Sequence, residues 1–514
     1  MYPGKHAQTM PDKAAQIMAA TGEVTTYREL DEAANRLAQL LYNRGLREGD
    51  HISILAENHP RYYEVYWAAV TSGLYFTTIN RYLSPEEAAY LVNDSGSTML
   101  ITTAAMASTA EQLLDLIPDC HHKLMIDSVA DGFESYEEAV ASMPAEPLAR
   151  LPKGEVMLYS SGTTGKPKGI LRPLTGVEVH DASISGIGML EQLLLGMGED
   201  SVYLTPAPLY HSAPLLFSAG VHELGGTLVI MDRFDAERFL ACVEQYSVTD
   251  TQMVPTMFIR LLKLPEEVRN RYDLSSLKMA VHAAAPCPVA VKEQMIEWWG
   301  PIVHEYYAAT EGNGLCFIGA EDWLSHKGSV GKAVVGVPHI CDDDGREVGP
   351  GQPGIVYFEQ ESTTFQYHDD AEKTKDSRHR QHDNWSTVGD VGYLDEEGYL
   401  YLTDRATFMI ISGGVNIYPQ EIEACFALHP EVADVAVFGL PDDEMGEYVH
   451  AVVQLEDGIE PSESLAEELR SYARQRLAGY KVPRVVDFRS DFPRLPTGKL
   501  YKKPLREEYL ACQP

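Results

Sequence analysis

Apolar residues at Leu30, Ala33, Ala34, Leu37, Leu40 and Leu41 recur at helical spacing and predict a helix over 27–45, followed by a short strand over 51–56. A second helix is expected over 61–73 and a second strand over 75–79. Ser84-Pro85-Glu86-Glu87 then combines an N-cap, a proline in the first turn and a capping-box glutamate, opening a helix to about Asn93 before a strand over 98–102. Strands alternating with helices imply a largely parallel sheet covered on both faces. The alternation continues further on, where strands over 278–282 and 303–307 flank a helix over 289–299. The most apolar stretch, 202–221, is interrupted by Pro206, Pro208, His211 and Pro214 and predicts buried strands and turns. Residues 366–384 are dense in Asp, His, Lys and Arg and predict a solvated loop, in which His379, Arg380 and His382 make no metal site. Beyond Asp404 the order becomes helix 419–429, strands 435–439 and 449–455, helix 464–477 and strand 485–488. That is a small α+β unit of about a hundred residues behind a large α/β body.

Composition narrows the classes of function. A chain of 514 residues, 45% hydrophobic and 23% charged, is globular and long enough for several cores. Its 41 Lys and Arg against 76 Asp and Glu give a net charge of −35, which repels nucleic-acid backbones and anionic lipid. No nucleic-acid partner is expected. Seven cysteines, an odd number without a CxxC pair, argue against a disulfide framework or a zinc cage and for a reducing, cytoplasmic setting. Lys5, His6, Asp12 and Lys13 interrupt residues 1–20, and no stretch approaches about 18 apolar residues, so neither a leader nor an integral membrane segment is expected.

The densest local chemistry is Tyr159-Ser160-Ser161-Gly162-Thr163-Thr164-Gly165-Lys166-Pro167-Lys168-Gly169, behind an apolar strand over 155–158. Hydroxyls, glycines and lysines packed this closely supply backbone N–H groups, side-chain donors and positive charge for a polyphosphate. Pro167 stands where a Walker A loop needs a magnesium-binding Ser or Thr and the start of a helix, which disfavours a P-loop kinase or ATPase. Taken alone, the run serves either a polyphosphate or a flexible turn.

The loop closely resembles the phosphate-loop signature of the adenylate-forming superfamily: acyl-CoA synthetases, peptide-synthetase adenylation domains and luciferases. Further motifs follow in the family's order. Tyr307-Ala308-Ala309-Thr310-Glu311-Gly312 resembles YGxTE. Val388-Gly389-Asp390 with Asp404-Arg405 resembles the TGD and DR elements. Ile411-Ser412-Gly413-Gly414-Val415-Asn416 resembles the glycine-rich loop on the CoA side, and Pro496-Thr497-Gly498-Lys499 resembles PxGK.

The resemblance implies a large N-terminal domain of stacked α/β sheets, residues 1–404, holding the ATP and acyl sites, and a small mobile α+β lid, residues 405–514, with a hinge near Thr407. It implies ATP, Mg2+ and coenzyme A as cofactor and cosubstrates. Lys499, Thr310 and Glu311 become the catalytic set, with Lys499 on the α-phosphate and substrate carboxylate and Glu311 on the metal. Ser160, Ser161, Gly162, Thr163, Thr164, Gly165, Lys166 and Lys168 would cradle phosphates. Ala284, Ala285, Pro286, Tyr307, Asp390 and Arg405 would hold adenosine, a carboxylate accepting well from two ribose hydroxyls. Ser412, Gly413 and Gly414 fall to CoA. His211, Val254, Met257, His282 and Ala283 fall to the acyl pocket, within a wall that also takes in Met253, Pro255 and Thr256. Residues 480–506 carry eight Lys or Arg against two Asp or Glu, a local inversion of charge that suits anionic substrates, although a basic surface helix reads the same way.

Ala308 stands where the family has Gly, Val388 where it has Thr, and Thr407 where its hinge is usually Asp or Lys. Pro208-Leu209-Tyr210-His211-Ser212-Ala213 offers no acid to pair a substrate ammonium, which disfavours amino acids, and no carrier-protein Asp-Ser-Leu site follows the small unit. The expected activity is an AMP-forming carboxylic acid–CoA ligase acting on a medium-chain fatty acid or a bulky ring-bearing acid. The alternatives are a fatty-acyl-AMP ligase that loads a carrier protein and a noncatalytic ATP- or acyl-binding regulator. A homodimer and a protein acetyltransferase that modifies Lys499 are further expected partners.

Overall fold

The computed structural model describes residues 2–160, 167–362, 365–405, 410–412, 415–442, 445–494 and 500–511. The chain forms two compact units. One comprises Met1–Met253, Glu266–Ala280 and Thr364–Lys373, the other Val254–Pro265, Val281–Thr363 and Thr374–Pro514.

The first unit holds a six-stranded sheet in the order Glu134–Ser135, His122–Ile126, Ser97–Thr103, His51–Leu55, Tyr75–Ile79, Glu155–Val156, parallel at every pairing. Strands such as Tyr75–Ile79 are buried along their whole length, as expected of a sheet covered on both faces. Helix Tyr27–Asn43 is closed by a Thr26–Glu29 capping box, and helix Pro85–Asp94 by the Ser84–Glu87 box foreseen from the sequence. Further strands of the unit run Val24–Thr26, Ala14–Met18, Thr227–Ile230, Val202–Thr205, Asp250–Met253, parallel except for the first pair.

Helix Tyr62–Val70 has all nine residues buried and therefore no polar face. It is tied to a second buried helix, Ser212–Leu224: Tyr63 Oη donates to the Leu215 carbonyl at 3.0 Å and Trp67 Nε1 to His222 Nδ1 at 3.1 Å. Burial pushes the His222 imidazole down to about 3, so the ring is neutral, and its Nε2 donates to the Ala15 carbonyl at 3.2 Å.

The expectation of strands and turns across 202–221 is corrected here. Only Val202–Thr205 is a strand, and the chain is helical from Ser212 until Gly225 ends the helix in the left-handed region. Pro214 lies in the first turn, where its missing N–H costs nothing. The charged run at 366–384 is likewise not a plain solvated loop. Gln366–Tyr367 adds a strand beside Lys168–Leu171, Ala371–Asp376 is helical, and His379 is buried with Nε2 donating to the Gly345 carbonyl at 2.9 Å.

In the second unit, helix Val289–Trp299 precedes antiparallel strands Val303–Ala308, Leu315–Ile318 and Lys332–Val335. An antiparallel sheet follows: Val337–Cys341, Gly354–Glu359, Asp390–Leu394 and Leu400–Arg405, with Trp385–Ser386 beside Gly354–Glu359. The small α+β part has strands Ile410–Ser412, Val415–Ile417, Val432–Asp442, Gly446–Leu455 and Val485–Phe488. Its core is built on Ile410, Phe426, Val437, Val453 and Leu469. The fold is thus a large α/β body and a small α+β part.

Candidate active site

The glycine- and hydroxyl-rich loop is mounted on an antiparallel hairpin. Strand Leu158–Ser160 pairs with Lys168–Leu171, setting Ser160 opposite Lys168 and Tyr159 opposite Gly169. Ser161, Gly162, Thr163, Thr164, Gly165 and Lys166 lie outside the described residues. A strand, not a helix, follows the loop, in keeping with Pro167.

The base of this hairpin is fastened from several sides. A Cβ on Gly169 would lie 2.4 Å from Met157 Cε, so a larger residue there would push the Met157 methyl aside. Tyr159 Oη donates to Asp94 at 2.8 Å and Tyr90 Oη to the Pro167 carbonyl at 3.2 Å. Lys168 Nζ donates to Asp370 Oδ2 at 2.6 Å, a contact that holds the Asp370 carboxyl below its usual range. Asp94 and Asp370 were not among the residues singled out from the sequence. The one signal for Asp370 was its place in a charged run.

His211 is the residue before helix Ser212–Leu224 and meets Tyr210 edge-on at 4.5 Å. The Tyr210 carbonyl accepts from Thr78 Oγ1 at 2.9 Å, anchoring this entry to the parallel sheet.

In the second unit, strand Val303–Ala308 carries Tyr307, whose hydroxyl donates to Asp390 Oδ2 at 2.6 Å. Asp390 opens its strand directly opposite Arg405 in register, and the Arg405 side chain lies outside the described residues. Two motifs 83 residues apart are therefore joined by one short hydrogen bond.

Thr310 and Glu311 sit in the turn after Ala308. Gly312, at φ +68°, closes that turn by donating to the Ala309 carbonyl at 2.9 Å. Gln360 Nε2 donates to the Gly312 carbonyl at 3.0 Å and Asn313 Nδ2 to the Ser386 carbonyl at 3.4 Å, two supports that sequence reasoning missed. Glu311 is buried. Among the described residues no group of three or more side chains could hold a metal by itself. A single carboxylate fits Mg2+ that takes its other ligands from phosphates and water.

Strand Met279–His282 leads into Ala283, Ala284, Ala285 and Pro286, and Ala284 adopts φ +73°, a left-handed conformation that non-glycine residues rarely hold and that clusters at functional turns. His282 is fully enclosed. Its Nε2 lies 3.4 Å from Glu305 Oε2, which also accepts from Lys292 Nζ at 2.6 Å, and Phe258 meets the ring edge-on at 5.4 Å. Burial and the Lys292 cation hold this imidazole well below its ordinary value, hence neutral. Val254 caps helix Pro255–Leu262, and Met257 and Ala283 are buried. Ser412 ends strand Ile410–Ser412 opposite Val415. Gly413, Gly414, Thr407 and Lys499 lie outside the described residues.

Residues 4–368 match the family of AMP-binding enzymes, and residues 421–499 match its C-terminal domain. The chain belongs to the AMP-binding enzyme family, the ATP-using, adenylate-forming class. It is 32% identical to the long-chain-fatty-acid–CoA ligase FadD13 of Mycobacterium tuberculosis, over 99% of this chain and 98% of that protein. It is 29% identical to the fatty acid–[acyl-carrier-protein] ligase ScoC of Streptomyces coeruleorubidus, over 98% and 95%. Among solved structures it is similar to the o-succinylbenzoate CoA synthetase of Bacillus subtilis in complex with its acyl-adenylate intermediate (TM-score 0.79, 27% identity, 98% and 97% covered). It is similar also to ATP-bound MatB from Rhodopseudomonas palustris (TM-score 0.79, 25% identity, 99% of both chains).

Proposed function

We propose that this protein is an AMP-forming carboxylic acid–CoA ligase. A carboxylate oxygen attacks the α-phosphorus of ATP and the bond to pyrophosphate breaks, leaving an acyl-adenylate. The sulfur of coenzyme A then attacks the acyl carbon, AMP departs with the bonding pair, and the thiol proton passes to solvent. The observation that carries this reading is the antiparallel pairing of Ser160 with Lys168 at the two ends of the glycine- and hydroxyl-rich run, with a strand and not a helix following it. Such a mount leaves the phosphates to backbone N–H groups, hydroxyls and lysines, which is where charge develops as pyrophosphate departs.

In this scheme Asp390, oriented by Tyr307, accepts from the ribose hydroxyls while Arg405 donates to their oxygens, and Ala284, Ala285 and Pro286 pack on the base. Glu311 would hold Mg2+, which would neutralise phosphate charge, and Thr310 donates to the phosphoryl group. Lys499 neutralises the α-phosphate and aligns the carboxylate. The body, residues 1–404, holds these groups except Arg405 and Lys499. The lid, residues 405–514, turns near Thr407 and exchanges Lys499 for Ser412, Gly413 and Gly414 before the thiol attacks. Lys499→Ala should therefore reduce acyl-adenylate formation by about a hundredfold or more while leaving CoA attack on supplied acyl-adenylate far less affected. Single-turnover assays of the two half-reactions read this directly, and equal loss in both refutes the exchange.

The deciding experiment is pyrophosphate release from Mg-ATP over carboxylic acids of graded length and ring size, with and without CoA. Turnover that rises with CoA and yields a product of acyl-CoA mass establishes the ligase. The similarity to ScoC favours one second reading, delivery to a carrier protein, which predicts acyl-AMP accumulation indifferent to CoA and discharge by a carrier.

A further inference from the structure

Helix Gly186–Leu193 carries Glu191, which has no solvent exposure. Among the described residues neither of its carboxyl oxygens has a hydrogen-bond partner. Its place has been made for it: a Cβ on Gly220 of the facing helix would lie 2.0 Å from Glu191 Oε2. A buried carboxyl left unpaired costs about 1 to 3 kcal/mol, so its retention calls for a partner absent from the protein itself.

The neighbouring groups are already engaged. Glu223 accepts from the Ser185 N–H at 2.9 Å and the Ser185 hydroxyl at 2.7 Å. Asp250 accepts from Thr249 Oγ1 at 2.5 Å. Tyr63 spends its proton on the Leu215 carbonyl. The charged groups that act on Glu191 are Glu223 and Asp250, both acids, and burial together with these two raises the Glu191 carboxyl well above its usual range. Glu191 is thus a neutral acid offering one donor and one acceptor.

Asp250, one of the two acids that act on Glu191, lies on a strand face that runs toward the carboxyl ends of the parallel strands, where α/β sheets bind their ligands. Tyr203 pairs with Asp250 and Leu204 with Thr251, so by the same register Thr205 and Gln252 come next and share a face with Tyr203 and Asp250. That face looks toward helix Ser212–Leu224, since the Tyr203 and Phe217 rings stack at 6.5 Å. Thr205 Oγ1 and Gln252 Oε1, both fully buried, also have no partner among the described residues. From Ser212, next to His211, to Gly220 the helix rises about 12 Å, a span that a medium-chain acyl group covers.

Given the ligase activity proposed above, we infer that the acid accepted here carries a hydroxyl group at its far end, received by Glu191 with Thr205 and Gln252 along the way. A plain alkyl chain would leave these polar atoms unpaired. An ammonium would have to shed its water against a carboxyl that burial keeps uncharged.

The test is kcat/KM for pyrophosphate release with ω-hydroxydecanoic acid, decanoic acid and ω-aminodecanoic acid on the full-length enzyme. The hydroxy acid should exceed decanoic acid by about 10- to 100-fold, chiefly through KM. Glu191→Leu should reverse that ratio in favour of decanoic acid, and Gly220→Ala, which displaces the carboxyl, should erode it without removing the acid. Should either variant fail to fold, the wild-type ratio decides alone. Equal rates for hydroxy and plain acids overturn the inference, assign the unpaired atoms to buried water and leave the ligase intact. A preference for the amino acid overturns it in favour of a charged recognition site. Absence of turnover with every acid, CoA or carrier present, refutes the ligase itself and this inference with it.

Discussion

Glu305 and Glu191 are both glutamates taken out of water inside an α/β framework, yet they are treated in opposite ways. Glu305 has a cation in hydrogen-bond contact: Lys292 Nζ at 2.6 Å, itself fully buried and set 4.7 Å from the centre of the Trp323 ring. The pair ties helix Val289–Trp299 to strand Val303–Ala308, which delivers Tyr307 and the turn bearing Thr310 and Glu311. Glu191 faces only other acids and has given up its charge. A carboxylate with a built-in partner holds the protein together, whereas one buried without a partner among the described residues and set against two other acids is, on the inference above, a recognition group. Burial is the same in both, and partnership separates structure from recognition.

The difference is sharpest in what removal does. Lys292→Met leaves Glu305 as an uncompensated buried acid and should destabilise the fold by about 3 to 5 kcal/mol in urea denaturation. Replacing both, Lys292→Met with Glu305→Leu, should recover most of that loss. Glu191→Leu should have the opposite sign and raise stability by about 1 to 2 kcal/mol, since it removes an unpaired polar group. A loss instead would place Glu191 with Glu305 and break the contrast.

The pH dependence of stability is a further measure of Glu191. The folded-state pKa of Glu191 is raised above its unfolded value, so between the two the unfolded chain holds fewer protons than the native one. Its contribution is therefore fully present below about pH 4.5 and lost as pH rises toward the folded value, with a slope of up to about 1.4 kcal/mol per pH unit. Denaturation midpoints measured from pH 5 to pH 8 should fall less steeply in Glu191→Gln than in the parent. A third acid, Asp390, is held by a neutral hydroxyl. Tyr307→Phe should raise the KM for ATP about 3- to 10-fold with little change in stability, as one hydrogen bond to an acid is lost at a binding site.

What could be read from the sequence alone divides along physical lines. Helix Val289–Trp299 and strand Val485–Phe488 fall where their patterns place them, and the Ser84 box opens its helix, because caps and periodicity are local properties. Helix Ser212–Leu224 was hidden because it is apolar on nearly every side and has no amphipathic period. The sheet from Val337–Cys341 to Leu400–Arg405 was missed because its strands are only partly buried and so lack a clear apolar alternation. The motifs named Tyr307, Asp390 and Lys168 but not their bonds, which join residues 83 and 202 positions apart. Glu191 in Gly-Ile-Gly-Met-Leu-Glu-Gln-Leu reads as an ordinary surface charge, and only tertiary burial gives it another meaning.

The separation between Lys168 and Asp370 bears on how the protein is born. The hairpin that presents the phosphate loop gains its third strand, Gln366–Tyr367, and its anchoring carboxylate only after some two hundred further residues have been added. At about 5 to 20 residues per second, a ribosome takes about 10 to 40 seconds to supply them. During that interval the emerging chain carries an unpaired strand edge at Lys168–Leu171 and a lysine without its carboxylate. A nascent chain halted before residue 366 should therefore attract chaperones that recognise open strands, and release from them should coincide with the arrival of Asp370.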